Sequence, residues 1–282
     1  MIKQYPHVET ERQGPVLIIR LANDSARNAF SREMRFSLRD ITREVQDDPT
    51  IRTLYLTSKG PNFCAGGDLR MLSLASEPWA VHRRFNHATG IFPSFLSLDR
   101  PTVCGVRGYA VGGGLGLALL SDLIVAGDSA KFTAGFFRLG VVPDCLTLFT
   151  LPRLVGLAKA RNFIFSNGTW DASMAVELGI ALKTVPDAEV DAEGLALAHS
   201  LASGPAEVMG IAKLLLLKSF ESSMAEMWDG ERLNQILAMS SAEFHEGLNA
   251  LIEKRAPDFI AASKSGTMFD GMPSSATDTP PK

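Results

Sequence analysis

The 282-residue sequence has no run of the eighteen or so apolar residues that a single helix needs to cross a membrane. Its opening residues, Met1 to His7, contain no apolar stretch of the kind a secretory signal carries, so no such signal is expected. Cysteine is scarce: Cys64, Cys104 and Cys145 are odd in number and form no CxxC pair. A disulfide framework and a metal site are therefore not expected, and a reducing, cytoplasmic setting fits. The three thiols read as small buried hydrophobes. Positive charge is not in excess either. The formal net charge of -3 argues against nucleic acid or an anionic membrane as partner. A few local cations would still suffice for a nucleotide-bearing ligand. No repeat of solenoid length is found.

What is present is an ordinary globular composition, 46% hydrophobic and 21% charged, enough for a sizeable core. Residues 16–21, 53–57, 101–106 and 123–126 read as strands. Residues 31–45 have helical spacing, with Ser31 placed to open the helix, and residues 113–120 and 146–154 are helical too. Strands alternating with helices predict an α/β layered fold. From about Ala188 the pattern is helical: residues 193–203, 205–219, 224–240 and 242–253. The apolar burst Leu214 to Leu217 reads as a buried helix face. The expected organisation is an α/β core over 1–187, a helical region over 188–262, and a disordered tail over 263–282, rich in Ser, Thr, Gly and Pro.

Two glycine-rich segments stand out. One is Asn62-Phe63-Cys64-Ala65-Gly66-Gly67-Asp68-Leu69, after the second strand. The other is Gly108-Tyr109-Ala110-Val111-Gly112-Gly113-Gly114-Leu115-Gly116, before an apolar helix. Glycine lets backbone approach a ligand closely, and two N–H groups aimed at one point make an oxyanion hole. The second segment lacks the Lys-Ser/Thr of a phosphate-binding P-loop. Leu117 stands where the third glycine of a dinucleotide fingerprint belongs. The simpler alternative is that these glycines only permit tight packing.

The order of motifs resembles the enoyl-CoA hydratase/isomerase (crotonase) family. It runs Ala26-Arg27-Asn28-Ala29-Phe30, the two glycine segments, Ser121-Asp122-Leu123-Ile124, Phe132, Gly140, Leu151-Pro152-Arg153-Leu154-Val155-Gly156, then Glu253-Lys254-Arg255. The resemblance covers roughly residues 10–260. It implies a crotonase (ClpP-like) spiral of ββα turns with a C-terminal helical region, assembled as homotrimers or homohexamers. It implies that the N–H groups of Gly67 and Gly113 hold a thioester oxygen. Coenzyme A would enter as part of the substrate, with no prosthetic group. Arg27, Ala65, Asp68, Leu69 and Arg70 would line the coenzyme site. Lys254 and Arg255 would reach a neighbouring subunit's coenzyme phosphates, or simply be a solvated helix end.

The sequence departs from the hydratases at both of their catalytic glutamates: Gly116 and Phe136 occupy those positions, and neither can move a proton. One carboxylate does match a functional position. Asp144 resembles the aspartate of dienoyl-CoA isomerases, ring-epoxyphenylacetyl-CoA isomerases and 4-chlorobenzoyl-CoA dehalogenases. The run Leu139-Gly140-Val141-Val142-Pro143-Asp144, with Leu151 to Ala158, is closest to the phenylacetate-pathway isomerases. Isomerisation with Asp144 as base is therefore expected. Alternatives are a hydratase, dehalogenase or thioester hydrolase on the same scaffold, or an acyl-CoA binder with little catalysis. Asp144 could also be only a helix N-cap. Chlorobenzoyl-CoA dehalogenases place tryptophan at Phe136 and histidine at Thr89; His87 is two residues away, so that match is incomplete. His82 and His87 read as surface or rim residues. Phe136, Phe137, Trp79, Phe85 and Phe92 could build an aromatic acyl pocket or simply pack the core.

Overall fold

The computed structural model describes residues 3–70, 77–79, 81–82 and 90–263. Phe85, His87, Thr89 and the tail from residue 264 lie outside the described residues. Ser263, the first residue of the expected tail, closes a short helix, Phe259–Ser263.

Strands β3 (Val16–Leu21), β4 (Thr53–Ser58), β5 (Thr102–Val106) and β7 (Leu123–Gly127) lie parallel in one seven-stranded sheet. Every residue of β4 and β5 is buried. Both faces of these strands are covered, so near-continuous apolar runs suit them better than alternation. Strands β1 (Lys3–Tyr5) and β2 (Val8–Gln13) extend the sheet antiparallel at one edge, and β10 (Lys183–Val185) extends it parallel at the other. A second, three-stranded sheet holds β6 (Tyr109–Val111), β8 (Lys131–Thr133) and β9 (Thr169–Asp171) in the order β6-β8-β9. Strands β5 and β7 of the large sheet are each followed by one of the small sheet, β6 and β8, and then by helix. That repeat is the expected ββα turn.

Helix α1 (Arg32–Asp47) forms as its spacing predicts. The Ser31 hydroxyl accepts from the Met34 N–H at 3.0 Å, and Met34, Leu38, Ile41 and Val45 share one buried face. After α2 (Ile91–Leu96) and α3 (Gly113–Ala118) come α4 (Thr147–Val155), α5 (Leu157–Phe165) and α6 (Ala172–Glu177). Helix α7 (Val190–Ala202) packs on the large sheet, where Ala198 and Ala202 meet Val16, Ile18, Tyr55 and Val103. A side chain at Gly194 would come within 2.4 Å of the Tyr55 ring, so glycine sets that approach. The Asp191 carboxylate accepts from Tyr55 and Thr57 at 2.9 Å each and pairs with Arg107 at 2.5 Å. Burial pushes this carboxyl up, but those hydrogen bonds and the arginine charge outweigh it and hold it below the usual range.

Helices α8 (Ala206–Lys218), α9 (Met224–Met239) and α10 (Ala242–Glu253) follow. The expectation of a buried face at Leu214 to Leu217 is corrected: Leu216 is 70% exposed, and its three neighbours in that run are only half-buried. Helix α8 has only Ala206 and Gly210 buried; Leu215 faces Gly230 of α9 and Lys213 pairs with Asp122, while Ala212, Leu216 and Lys218 stay exposed.

One buried ion pair joins this helical region to the core. Arg52 donates to Glu243 at 2.8 Å and to the carbonyls of Ala202 and Gly204. Both charged side chains are almost fully enclosed. Glu243→Ala would strand the guanidinium, a loss of roughly 3–5 kcal/mol. Urea unfolding should show it as a lower midpoint; an unchanged midpoint would mean that the pair is not a structural tie.

Candidate active site

Three chain segments meet beside the small sheet. Phe63 donates to the Arg107 carbonyl and Cys64 to that of Tyr109, and Val111 donates back to Cys64, each at 2.9 Å. The first glycine segment thus runs alongside β6. Phe30 donates to Gly66 at 2.8 Å, and Ala65 to Arg27 at 3.0 Å. Arg27 and Asn28 both take left-handed backbone geometry. The fully buried Asn28 side chain fixes this bend: its oxygen accepts from Asn23, and its nitrogen donates to the carbonyls of Lys59 and Asn62.

Two glycines are needed where these segments touch. Gly66 has φ +86°, and a Cβ there would lie 2.5 Å from the Val111 carbonyl oxygen and 3.5 Å from the Gly113 nitrogen. A Cβ at Gly114 would lie 2.3 Å from the Cys64 oxygen. Tight packing and ligand approach are therefore not exclusive explanations: packing brings the Gly66-Gly67 loop onto Gly113. The N–H groups of Gly67 and Gly113 have no hydrogen-bond partner among the described residues.

A cavity of about 690 Å³ opens at this junction. Its wall includes Gly67, Gly113 and Asp144, together with Ala65, Asp68, Leu69, Arg70 and Phe136. The Arg27 side chain is exposed and outside the wall, although its carbonyl anchors Ala65. Lys254 and Arg255 do not line it either. Lys254 ends α10 in left-handed geometry, and Arg255 pairs with Glu246 at 2.5 Å and Glu253 at 2.6 Å. Hydrogen bonds from Arg255, then from the Asp258 N–H, hold the Glu246 carboxyl down at about 2. Of the expected aromatic wall, Phe92 and Phe136 belong to it. Phe137 instead lies against Phe165, and Trp79 against His82. Phe30, which packs edge-on against Phe92 at 5.9 Å, is a wall residue that the sequence reading did not single out. Arg35 and Arg138 are two more.

Asp144 is carried by an unusual turn. Cys145 and Leu146 are consecutive residues in left-handed geometry, φ +55° and +59°, which side chains adopt only when packing requires it. The space for this turn comes from Gly116. A Cβ at Gly116 would stand 2.7 Å from the Cys145 Cβ, and 2.8 Å from both the Cys145 oxygen and the Thr147 hydroxyl. A missing side chain on α3 thus admits the turn that presents Asp144. The helix-cap reading of Asp144 is corrected. Helix α4 is capped at Leu146 without a side-chain bond, and Asp144 serves it only through its backbone carbonyl, which accepts from Thr147 at 3.0 Å. The Asp144 carboxylate is exposed to the cavity. Burial, then the charge of Asp144 and a hydrogen bond to it, push the Cys145 thiol up, while Arg35 pulls it down. Cys145 is therefore a neutral neighbour. Cys64, fully buried, is pushed up to about 12.

The family model for enoyl-CoA hydratase/isomerase matches residues 11–262. The chain belongs to the enoyl-CoA hydratase/isomerase family. It is an enzyme of that crotonase-fold family. A protein named 1,2-epoxyphenylacetyl-CoA isomerase, from Escherichia coli, is 33% identical over 86% of this chain and 94% of its own. A probable enoyl-CoA hydratase of Mycobacterium bovis is 32% identical over 90% and 98%. The crystal structure of an enoyl-CoA hydratase/isomerase from Cupriavidus metallidurans superposes with a TM-score of 0.86 at 32% identity, covering 91% of this chain and 97% of that one.

Proposed function

We propose that this enzyme binds an acyl-coenzyme A thioester and shifts a double bond, or rearranges an unsaturated acyl group, through an enolate. The observation that carries the reading is that, among the described residues, the wall shared by Gly67 and Gly113 contains one carboxylate not engaged by a cation, Asp144. The other, Asp68, lies 4.0 Å from the Arg70 guanidinium and accepts from its backbone N–H. The N–H groups of Gly67 and Gly113 hold the thioester oxygen. As the Asp144 carboxylate takes a proton from carbon, the C–H electron pair moves onto that held oxygen. The proton then returns two carbons away, and the carbonyl is restored. One base and one oxyanion hole suffice. The name of the Escherichia coli relative agrees with such a reaction. Coenzyme A enters as part of the substrate, with Arg27, Ala65, Leu69 and Arg70 beside it and Lys254 and Arg255 facing a neighbouring subunit's coenzyme. Mass spectrometry after incubation with straight-chain, branched and aryl-acetyl thioesters tests the reading: a product of unchanged mass and altered connectivity supports it, and products carrying added water contradict it.

A second reading uses the same carboxylate as a nucleophile. Asp144 is open to an apolar cavity with Phe30, Phe92 and Phe136 in its wall, where an aryl group would fit. Attack of the Asp144 carboxylate on the ring carbon that bears the halogen would break the carbon–halogen bond, release halide and leave an aryl ester on Asp144, visible as added mass.

Ordinary hydration should be slow. Crotonyl-CoA should be hydrated well below about ten per second, the middle of the usual enzymatic range. Adding Gly116→Glu and Phe136→Glu together should not restore it, because the first new Cβ already meets Cys145 backbone below 3 Å. Stopped absorbance assays check this, and rapid hydration by the parent protein contradicts it.

The exposed apolar residues of α8 and α9, and of the link between them, fit self-association as trimers or hexamers. Phe220 is 71% and Met224 87% exposed, and Trp228 is 65%. Sedimentation should find a trimer or hexamer at micromolar protein; a stable monomer would contradict it.

A further inference from the structure

The backbone of the Asp144 turn is tied to α4. The Asp144 carbonyl accepts from Thr147 at 3.0 Å, and the Leu146 carbonyl accepts from Phe149 and Thr150 at 2.9 Å each. None of these bonds fixes the Asp144 carboxylate, which stands exposed in the cavity wall. The group that reaches it is the next side chain. The Cys145 thiol donates to the Asp144 carboxylate, and among the described residues no other side chain does. Burial and the charge of Asp144 hold the proton on this thiol, so it is a donor at neutral pH.

The same side chain is wedged against α3. A Cβ at Gly113 would lie 3.1 Å from the Cys145 sulfur, and one at Gly116 would lie 2.7 Å from the Cys145 Cβ. Positions three apart on a helix are neighbours on one face, so Cys145 spans the first turn of α3. Its φ of +55° is a conformation that a residue other than glycine keeps only where its surroundings fix it. Glycine would make the same turn more readily, so the turn alone does not call for cysteine. What the sulfur adds is a contact to both halves of the site. It meets the base through a hydrogen bond and the oxyanion residue Gly113 through packing.

We propose that Cys145 is a positioning residue: its thiol, held between the first turn of α3 and the Asp144 carboxylate, sets the base at a fixed distance from the oxyanion donors. The proposal rests on Asp144 being the base. Cys145→Ala removes the sulfur alone, and Cys145→Ser puts a hydroxyl donor in its place. Both keep the Cβ that packs on Gly116. The test compares parent, both variants and Asp144→Asn in the exchange of α-protons of 3-hexenoyl-CoA and phenylacetyl-CoA with deuterated water. Calorimetry gives the affinity for each thioester and for free coenzyme A. Cys145→Ala should slow exchange by about ten- to a hundred-fold, the scale set by a misplaced catalytic group, and leave the affinities unchanged. Cys145→Ser should recover most of the parent rate. A cysteine that only fills space would give no such rescue, and its loss would move affinity and rate together. Exchange by Cys145→Ala at the parent rate or faster overturns the proposal. So does a serine variant as slow as alanine, or a rate loss matched by lost affinity. In each of these cases a slow Asp144→Asn leaves the base reading standing. If the parent exchanges neither thioester, or Asp144→Asn exchanges them as the parent does, the base reading itself fails and the proposal falls with it.

Discussion

Gly113→Pro should lower turnover by about a hundred- to a thousand-fold, the usual cost of removing one oxyanion donor. Proline removes the N–H outright, and the first residue of a helix is where its ring is best tolerated. Gly113 is that residue of α3. The site is nonetheless tight: a Cβ there would lie 3.1 Å from the Cys145 sulfur and 3.2 Å from the Phe30 ring. Gly113→Ala adds the same Cβ and keeps the donor, so it measures crowding alone. Proline should therefore cost far more than alanine in kcat, with coenzyme A binding similar in both and folding verified by circular dichroism. Equal losses in the two variants would place the effect in crowding, and the assignment of Gly113 as a donor would be wrong.

The parallel strands and α1 could be read from sequence because local pattern and tertiary burial agree there. Val16 to Leu21 and Thr53 to Thr57 are β-branched and apolar runs, and Ser31 caps the helix as its position suggests. The three-residue strands β6, β8, β9 and β10 are too short for a period to show, and they exist through pairing with distant partners. Strand β2, between β1 and β3, carried a weak signal, Val8 and Thr10 alternating with Glu9 and Glu11. Helices α5 and α6, short and joined closely to their neighbours, were also missed.

Within the site, Ala65, Gly67, Asp68, Leu69, Arg70, Gly113 and Asp144 share one wall. Arg35 and Phe30 could not be placed so directly. Their spacing reads as a helix and its entry, and only the fold turns them towards the cavity. Gly116 shows the same limit. As sequence, the family resemblance leads one to expect a glutamate there. In the structure it is the space that Cys145 occupies, and that space admits the turn carrying Asp144. Gly105 and Gly210 look no different in sequence, yet a Cβ at Gly105 would meet Tyr55 and Val190, and one at Gly210 the Asp99 backbone, away from the cavity.

The central claim is that Asp144 moves the proton. Asp144→Asn keeps the side chain's size and much of its hydrogen bonding but cannot accept a proton at neutral pH. The donors at Gly67 and Gly113 are untouched, so the variant should bind acyl-coenzyme A as the parent does. In deuterated water, the parent should exchange the α- or γ-protons of a bound thioester, read by mass spectrometry or proton NMR. Asp144→Asn should slow that exchange by about a hundred-fold or more, as loss of a general base does. Exchange at the parent rate in Asp144→Asn, with binding intact, would contradict the account: another group would then be the base.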